Sequence, residues 1–202
     1  MTPAPDQLVL RAPVSGVLIP LETIPDPAFA QRLVGDGVSI DPMDDVLVAP
    51  ADGVVTFVHP SCHALVLTLD GGIEILLHIG LETVGMRGDG FEVLVAEGDR
   101  VTVGDRLIAF DPEKIVTQAI SLLTQMVVST MEDILGVLPA EGFVTAGADA
   151  AMTVFPKVAA RRQASAEAEP VIAEEATSST VEVPNPTGLH ARPGAVLSVL
   201  AK

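Results

Sequence analysis

Apolar and polar positions alternate most clearly across Cys62–Gly80, which reads CHALVLTLDGGIEILLHIG. Two runs rich in Leu, Ile and Val flank Asp70-Gly71, and an Asp-Gly pair so placed is a strong signal for a β-hairpin with a two-residue turn. That turn sets His63 directly opposite His78, where Cβ atoms lie about 4.5–5.5 Å apart and two imidazoles can touch. Parity puts Glu74, Leu76 and His78 on one face and Ile73, Ile75, Leu77 and Ile79 on the other. The pairing depends on loop length, since a slip of one residue turns the two histidines to opposite faces. Cys62 has the opposite parity to His63 and reads as a small buried residue pointing away from the pair.

The same period-two pattern recurs along the chain. Ala12–Val17 and Ala49–Val54 share the form Ala-Pro-x-x-Gly-Val, a turn leading into a strand and a weak internal repeat. Between them Asp26–Val34 begins with Asp-Pro and carries apolar residues at helical spacing, which predicts a short helix ending before Gly35-Asp36-Gly37. Glu82–Gly90 is a Gly-rich loop and Phe91–Val95 a strand. Glu97–Phe110 reads as a hairpin with Gly98 and Gly104 at turns. Asp111-Pro112-Glu113 supplies a cap and first turn for a helix over about Pro112–Leu122. A strand at Val127–Ser129, a short helix at Met131–Leu135 and closing strands within Val137–Lys157 complete the pattern. The expected fold is mainly β, an antiparallel β-sandwich with short helices.

Composition narrows the function classes. The 202 residues are 49% hydrophobic, with no Trp or Tyr and many Gly and Pro, a mixture suited to short strands, tight turns and an aliphatic core. A formal charge of −16 argues against nucleic acid and anionic membranes as partners. The N-terminus MTPAPDQLVL lacks the pattern of a signal peptide, and no apolar run approaches a membrane span. One cysteine cannot form an internal disulfide, which suits a reducing cytoplasm. From spacing alone two readings of His63 and His78 stand: unrelated, locally satisfied histidines, or a pair doing chemistry together.

After Lys157 the pattern changes. Residues 158–179 are dominated by Ala and Glu with few large apolar side chains, so ordering them cannot be offset by burial and the segment reads as a linker. Thr180–Val183 resumes strand-like alternation. Thr187–Lys202, TGLHARPGAVLSVLAK, predicts a helix from about Ala191 with His190 at its N-cap. Pro193 sits in the first turn, where its missing N–H costs nothing. Free N–H groups and the helix dipole favour an anion there, and Arg192 adds donors suited to phosphate. A capping histidine beside a surface arginine is the plainer reading, and a histidine that carries a phosphoryl group the sharper one.

Gly188-Leu189-His190-Ala191-Arg192-Pro193 resembles the active-site motif of HPr, the histidine phosphocarrier of the bacterial phosphoenolpyruvate:sugar phosphotransferase system. Roughly Leu8–Lys157 resembles the glucose-type enzyme IIA of the same system, through FAQRLVGDGVSI, VAPADGVV, SCHALVL, LLHIGLETV and EGDRVTVGD. The resemblance implies that His78 accepts phosphate from phospho-HPr and passes it to a membrane sugar permease IIB domain of glucose or N-acetylglucosamine type. It implies that His63 assists, together with the hydroxyl of Ser61, and that His190 and Arg192 form the HPr site. It also implies a docking surface of Phe29, Leu33 and Val34, with Ile79 and Glu82 beside it. Ile79 and Leu65 stand where glucose-type proteins often carry Phe, Glu82 where Asp is common, and Gly194 where HPr usually has Ala. These departures bear on docking, permease choice and the start of the helix.

The implied organisation is a IIA domain over residues 1–157, a linker over 158–179, and an incomplete α/β HPr fragment over 180–202. A whole HPr needs further strands and helices, so the natural chain is expected to continue through HPr, and into enzyme I as in fused multiphosphoryl transfer proteins. The implied chemistry is nucleophilic catalysis through a phosphohistidine, cytoplasmic, with no cofactor or metal required. Three alternatives carry other expectations. A biotinyl-type carrier needs a lysine at a hairpin tip, and Lys114, Lys157 and Lys202 are not so placed. Zinc on His63 and His78 needs a third ligand, from a partner at an interface, because His59 carries no ligand signature. A regulatory protein would, like unphosphorylated glucose-type domains of some bacteria, bind and inhibit metabolic enzymes.

Overall fold

The computed structural model describes residues 7–157. Strands β1 (Leu8–Arg11) and β2 (Gly16–Ile19) lead into helix α1 (Pro27–Ala30), followed by β3 (Asp36–Pro42), β4 (Val46–Val48), β5 (Gly53–Val58), β6 (Ala64–Leu69) and β7 (Glu74–His78). A 3-10 turn at Thr83–Met86 precedes β8 (Phe91–Val93), β9 (Arg100–Val101), β10 (Arg106–Phe110) and helix α2 (Pro112–Gln118). Strands β11 (Thr124–Val128), β12 (Ile134–Pro139), β13 (Phe143–Val144) and β14 (Ala150–Pro156) follow. The linker and the HPr-like segment, with His190 and Arg192, lie outside the described residues.

The described residues are mainly β, and their strand pairs are antiparallel. An eight-stranded sheet runs β13-β2-β3-β11-β7-β6-β5-β9, and two three-stranded sheets run β1-β14-β12 and β4-β10-β8. Inward side chains of all three sheets, among them Leu10, Ile40, Leu67, Ile75, Leu77, Ile108 and Val154, form one aliphatic core. Alternation along β7 is as the pattern predicts: Ile75 and Leu77 are buried, while Glu74, Leu76 and His78 are half-buried on the other face. Beneath that second face Leu21, Ile24, Phe29, Leu81 and Val127 make a smaller cluster.

Local chemistry moves several predicted boundaries. Helix α1 starts as expected, with the Asp26 carboxylate accepting from Ala28 N–H at 2.8 Å and Pro27 in the first turn. It ends four residues early because Arg32 takes a left-handed φ of 56°. Leu33 N–H then bonds Ala28 O and Arg32 N–H bonds Phe29 O, the two closing bonds of a Schellman motif. Helix α2 likewise stops at Gln118, because the chain beyond it pairs Ser121 with Leu81. The hairpin expected over Glu97–Phe110 is not one. Strand β9 pairs with β5, whereas β10 pairs with β4 and β8 in another sheet. The Asp105 carboxylate accepts from Thr102 N–H at 2.7 Å and stabilises the turn at Gly104 between the two sheets.

The β6–β7 hairpin is present with a shifted register. Ala64, not His63, lies opposite His78, and Leu67 opposite Ile75. The loop takes three residues, Asp70-Gly71-Gly72, because Gly71 and Gly72 both adopt positive φ and Leu69 N–H bonds Ile73 O. A second glycine after the Asp-Gly pair makes that longer loop accessible.

Candidate functional site

Counted along a regular strand, the observed register would send His63 and His78 to opposite faces. The rings nevertheless meet. Cys62 has a φ of 58°, so the chain leaves strand geometry before β6 begins and parity does not extend to His63. Cys62 N–H bonds His59 O and His59 N–H bonds Ala64 O, closing a tight turn, while Ile79 N–H bonds His63 O. The His63 and His78 ring centroids are 4.8 Å apart at an interplanar angle of 84°. Cys62 itself is half-buried in that turn, its thiol 3.8 Å from the Pro60 carbonyl, rather than a core residue pointing away.

His78 is the last residue of β7 and is directly paired with Gln125 of β11, which is paired in turn with Ser39 of β3. This row of side chains crosses three adjacent strands on one face. His78 Nδ1 lies 3.0 Å from Gln125 Oε1. The Gln125 amide nitrogen donates to Leu123 O at 2.6 Å and is 3.4 Å from Ser39 Oγ. Phe29, from α1, packs against the same ring with centroids 5.3 Å apart and planes tilted by 57°.

His63 is only 3% exposed. Its Nδ1 has no well-aligned hydrogen-bond partner among the described residues, and the Ser61 backbone is the smallest of the influences on the ring, the one that favours its charged form. Packing holds the ring instead: His59 at 4.5 Å, His78 at 4.8 Å and Phe91 at 6.3 Å. Ser61 is half-buried in the same turn, and its N–H donates to His59 Nδ1 at 3.1 Å. Sequence reasoning set His59 aside, yet the structure adds it as a third imidazole. Its signal was the short interval His59-Pro60-Ser61-Cys62-His63 with a turn-forming Pro-Ser. Gln125 had no such signal.

Electrostatics keep these rings neutral. Burial, then mutual repulsion with His78 and His59, pushes His63 down to about 3. Burial lowers His78 to about 4, opposed by Gln125, the Asp26 carboxylate and the Gly80 backbone. Burial also lowers His59. At neutral pH both His63 and His78 therefore offer a lone pair, which a nucleophile requires.

The expected docking residues divide. Leu33 is 72% exposed and Glu82, at a left-handed φ of 61°, is also exposed. Val34 is half-buried against the smaller cluster. Ile79, at 0%, and Phe29, at 3%, do not reach the surface. Both support the site from beneath: Ile79 belongs to the main core and Phe29 braces the His78 ring. Val84, three residues after Leu81, and Ile120, whose N–H bonds Leu81 O, are exposed and supply apolar surface that the sequence did not single out. Among the described residues no group of three or more His, Cys, Asp or Glu side chains is placed to hold a metal ion. No helix among them is long and apolar enough to cross a membrane.

The family described as "phosphoenolpyruvate-dependent sugar phosphotransferase system, EIIA 1" matches residues 8–134. A glucose-specific EIIA component of that system from Halalkalibacterium halodurans is 45% identical over 131 residues, 65% of this chain and 76% of that protein. One from Staphylococcus aureus is 42% identical over 125 residues, 62% of this chain and 75% of that protein. The solved structure of glucose permease IIA from Mycoplasma capricolum superposes with a TM-score of 0.68 at 30% identity, covering 73% of this chain and 96% of that one.

Proposed function

The chain belongs to the EIIA 1 family of the phosphoenolpyruvate-dependent sugar phosphotransferase system, and on that footing we propose that His78 is its phosphoryl-carrying residue. Phospho-HPr loads it, and the IIB domain of a glucose- or N-acetylglucosamine-type permease unloads it. The observation that carries the reading is the His63–His78 pair, perpendicular and 4.8 Å apart, with both rings neutral at cellular pH. A neutral ring nitrogen of His78 attacks the phosphorus of the HPr phosphohistidine. The donor N–P bond breaks, and its electron pair returns to the HPr ring. His63 donates a hydrogen bond to the phosphoryl oxygens, with the Ser61 hydroxyl beside it, and spreads their charge. No step passes through a metal. Phe29, buried against the His78 ring, keeps water from that side of the labile bond, and Leu33, Val84 and Ile120 offer apolar contact to the incoming carrier.

This reading assigns residues 1–157 to the phosphotransfer domain, 158–179 to a linker and 180–202 to part of an HPr, with His190 and Arg192 as an upstream donor site. In a chain completed through a whole HPr, phosphate would pass from His190 to His78 across this linker, which gives a tethered carrier a high effective concentration. Labelling the full chain with phosphoenolpyruvate, enzyme I and HPr, followed by peptide mass spectrometry, tests the assignment. One phosphoryl group is expected on the peptide containing His78, and none on that peptide after His78→Ala. Label retained there in the variant would overturn it.

A further inference from the structure

We propose that Gln125 is a positioning residue for the carrier imidazole: its amide oxygen holds the His78 proton on Nδ1 through transfer, so that the lone pair of the ring stays at Nε2. The inference rests on His78 being the carrier. A glutamine amide can present either end, and here its partners decide. Gln125 is 0% exposed. Its nitrogen is committed to the Leu123 carbonyl at 2.6 Å, and the Ser39 hydroxyl at 3.4 Å is a second acceptor because Ser39 Oγ itself lies 3.4 Å from Thr124 O. The oxygen is thereby turned toward His78 Nδ1 at 3.0 Å. An amide oxygen can only accept, so Nδ1 donates, and a neutral ring with its one proton on Nδ1 holds its lone pair on Nε2. The register imposes this, since His78, Gln125 and Ser39 are directly paired across β7, β11 and β3.

The consequence reaches the phosphorylated state. When the Nε2 lone pair forms the new N–P bond, the ring gains positive charge while Nδ1 keeps its hydrogen. Gln125 Oε1, already aligned, stabilises that N–H without taking the proton. The ring then leaves neutral when the IIB domain attacks phosphorus, with no proton to be recovered first. The Gly80 backbone assists at the same ring, so Gln125 is a positioning residue with one helper.

Two variants in the full chain test the assignment. Gln125→Met preserves shape and removes the acceptor; Gln125→Glu keeps an acceptor and adds charge. Imidazole 15N shifts report the tautomer directly, and labelling by phospho-HPr across pH reports the chemistry. In Gln125→Met the Nδ1–H tautomer should lose its dominance and the labelling rate fall about tenfold. Gln125→Glu should hold the wild-type tautomer and label well at pH 8. Its rate should decline toward acid earlier than wild type, because a carboxylate raises the His78 pKa. Wild-type 15N shifts and rate in Gln125→Met would overturn the proposal, as would a Glu variant as slow as Met at pH 8 while folded by circular dichroism. If the wild-type chain were never labelled on His78, the function reading would fail, whereas the 15N comparison would still decide the Gln125 hydrogen bond.

Discussion

Acid should destabilise this protein from about pH 6.5 downward, well above the range in which carboxylates titrate. His63 and His78 have folded-state values of about 3 and about 4, against an ordinary 6.5. Both are lowered chiefly by burial, so the unfolded chain binds protons that the folded chain refuses. The stability present above 6.5 is therefore lost as pH falls through the window from 6.5 toward 4 and 3. Between pH 7.5 and 5.0 a fully depressed histidine costs about 2 kcal/mol, from 1.36 kcal/mol per pH unit over about 1.5 units. His63, almost fully buried, should contribute that amount, and the half-buried His78 somewhat less, giving roughly 3–4 kcal/mol together. Against an ordinary total stability of about 5–15 kcal/mol that is a large fraction. The chain has no Trp or Tyr, so urea unfolding at the two pH values should be followed by far-ultraviolet circular dichroism. His63→Gln should remove about half of the pH dependence, and His63→Gln with His78→Gln most of it. A double variant with the wild-type slope would refute the reasoning. It would also remove the physical basis for calling either histidine a neutral nucleophile by virtue of burial.

His63→Gln should still be labelled on His78 but pass phosphate to the IIB domain at least about tenfold more slowly, because an amide donates yet cannot act as an imidazole; stopped-flow transfer kinetics would show unaltered onward rates if the role is misassigned. His59→Phe should keep near-normal transfer and His59→Ala should slow it, since the His59 ring packs on His63 at 4.5 Å and the His63 Nδ1 has no well-aligned partner to orient it; equal rates in both variants would dismiss His59 as a support. Gly37→Ala should cost about 3 kcal/mol in urea unfolding, because a Cβ there would stand 2.1 Å from the Met126 carbonyl on the neighbouring strand; an unchanged midpoint would contradict that close approach.

What the sequence determined by itself was local. Alternation along Ala64–His78, the Asp26-Pro27 and Asp111-Pro112 starts of the helices, and the glycines that begin β2 and β5 all follow from side-chain chemistry within a few residues. The resemblance carried by LLHIGLETV and its companions identified the two histidines. Tertiary structure decided how they meet. The expected register was one residue out, yet the rings touch, because Cys62 turns the chain out of strand geometry and parity stops there. A positive φ at a non-glycine residue leaves no mark in the alternation pattern. Ile79 and Phe29 show the same limit: a motif marks them as neighbours of the site, but only packing says that both lie beneath it. Gln125 is the clearest case. It is 47 residues from His78, in the fully buried strand β11, and its sequence neighbours give no reason to single it out. Only pairing of β11 between β3 and β7 puts its amide against the imidazole, because contacts across a sheet are set by strand order and register, which no local pattern encodes.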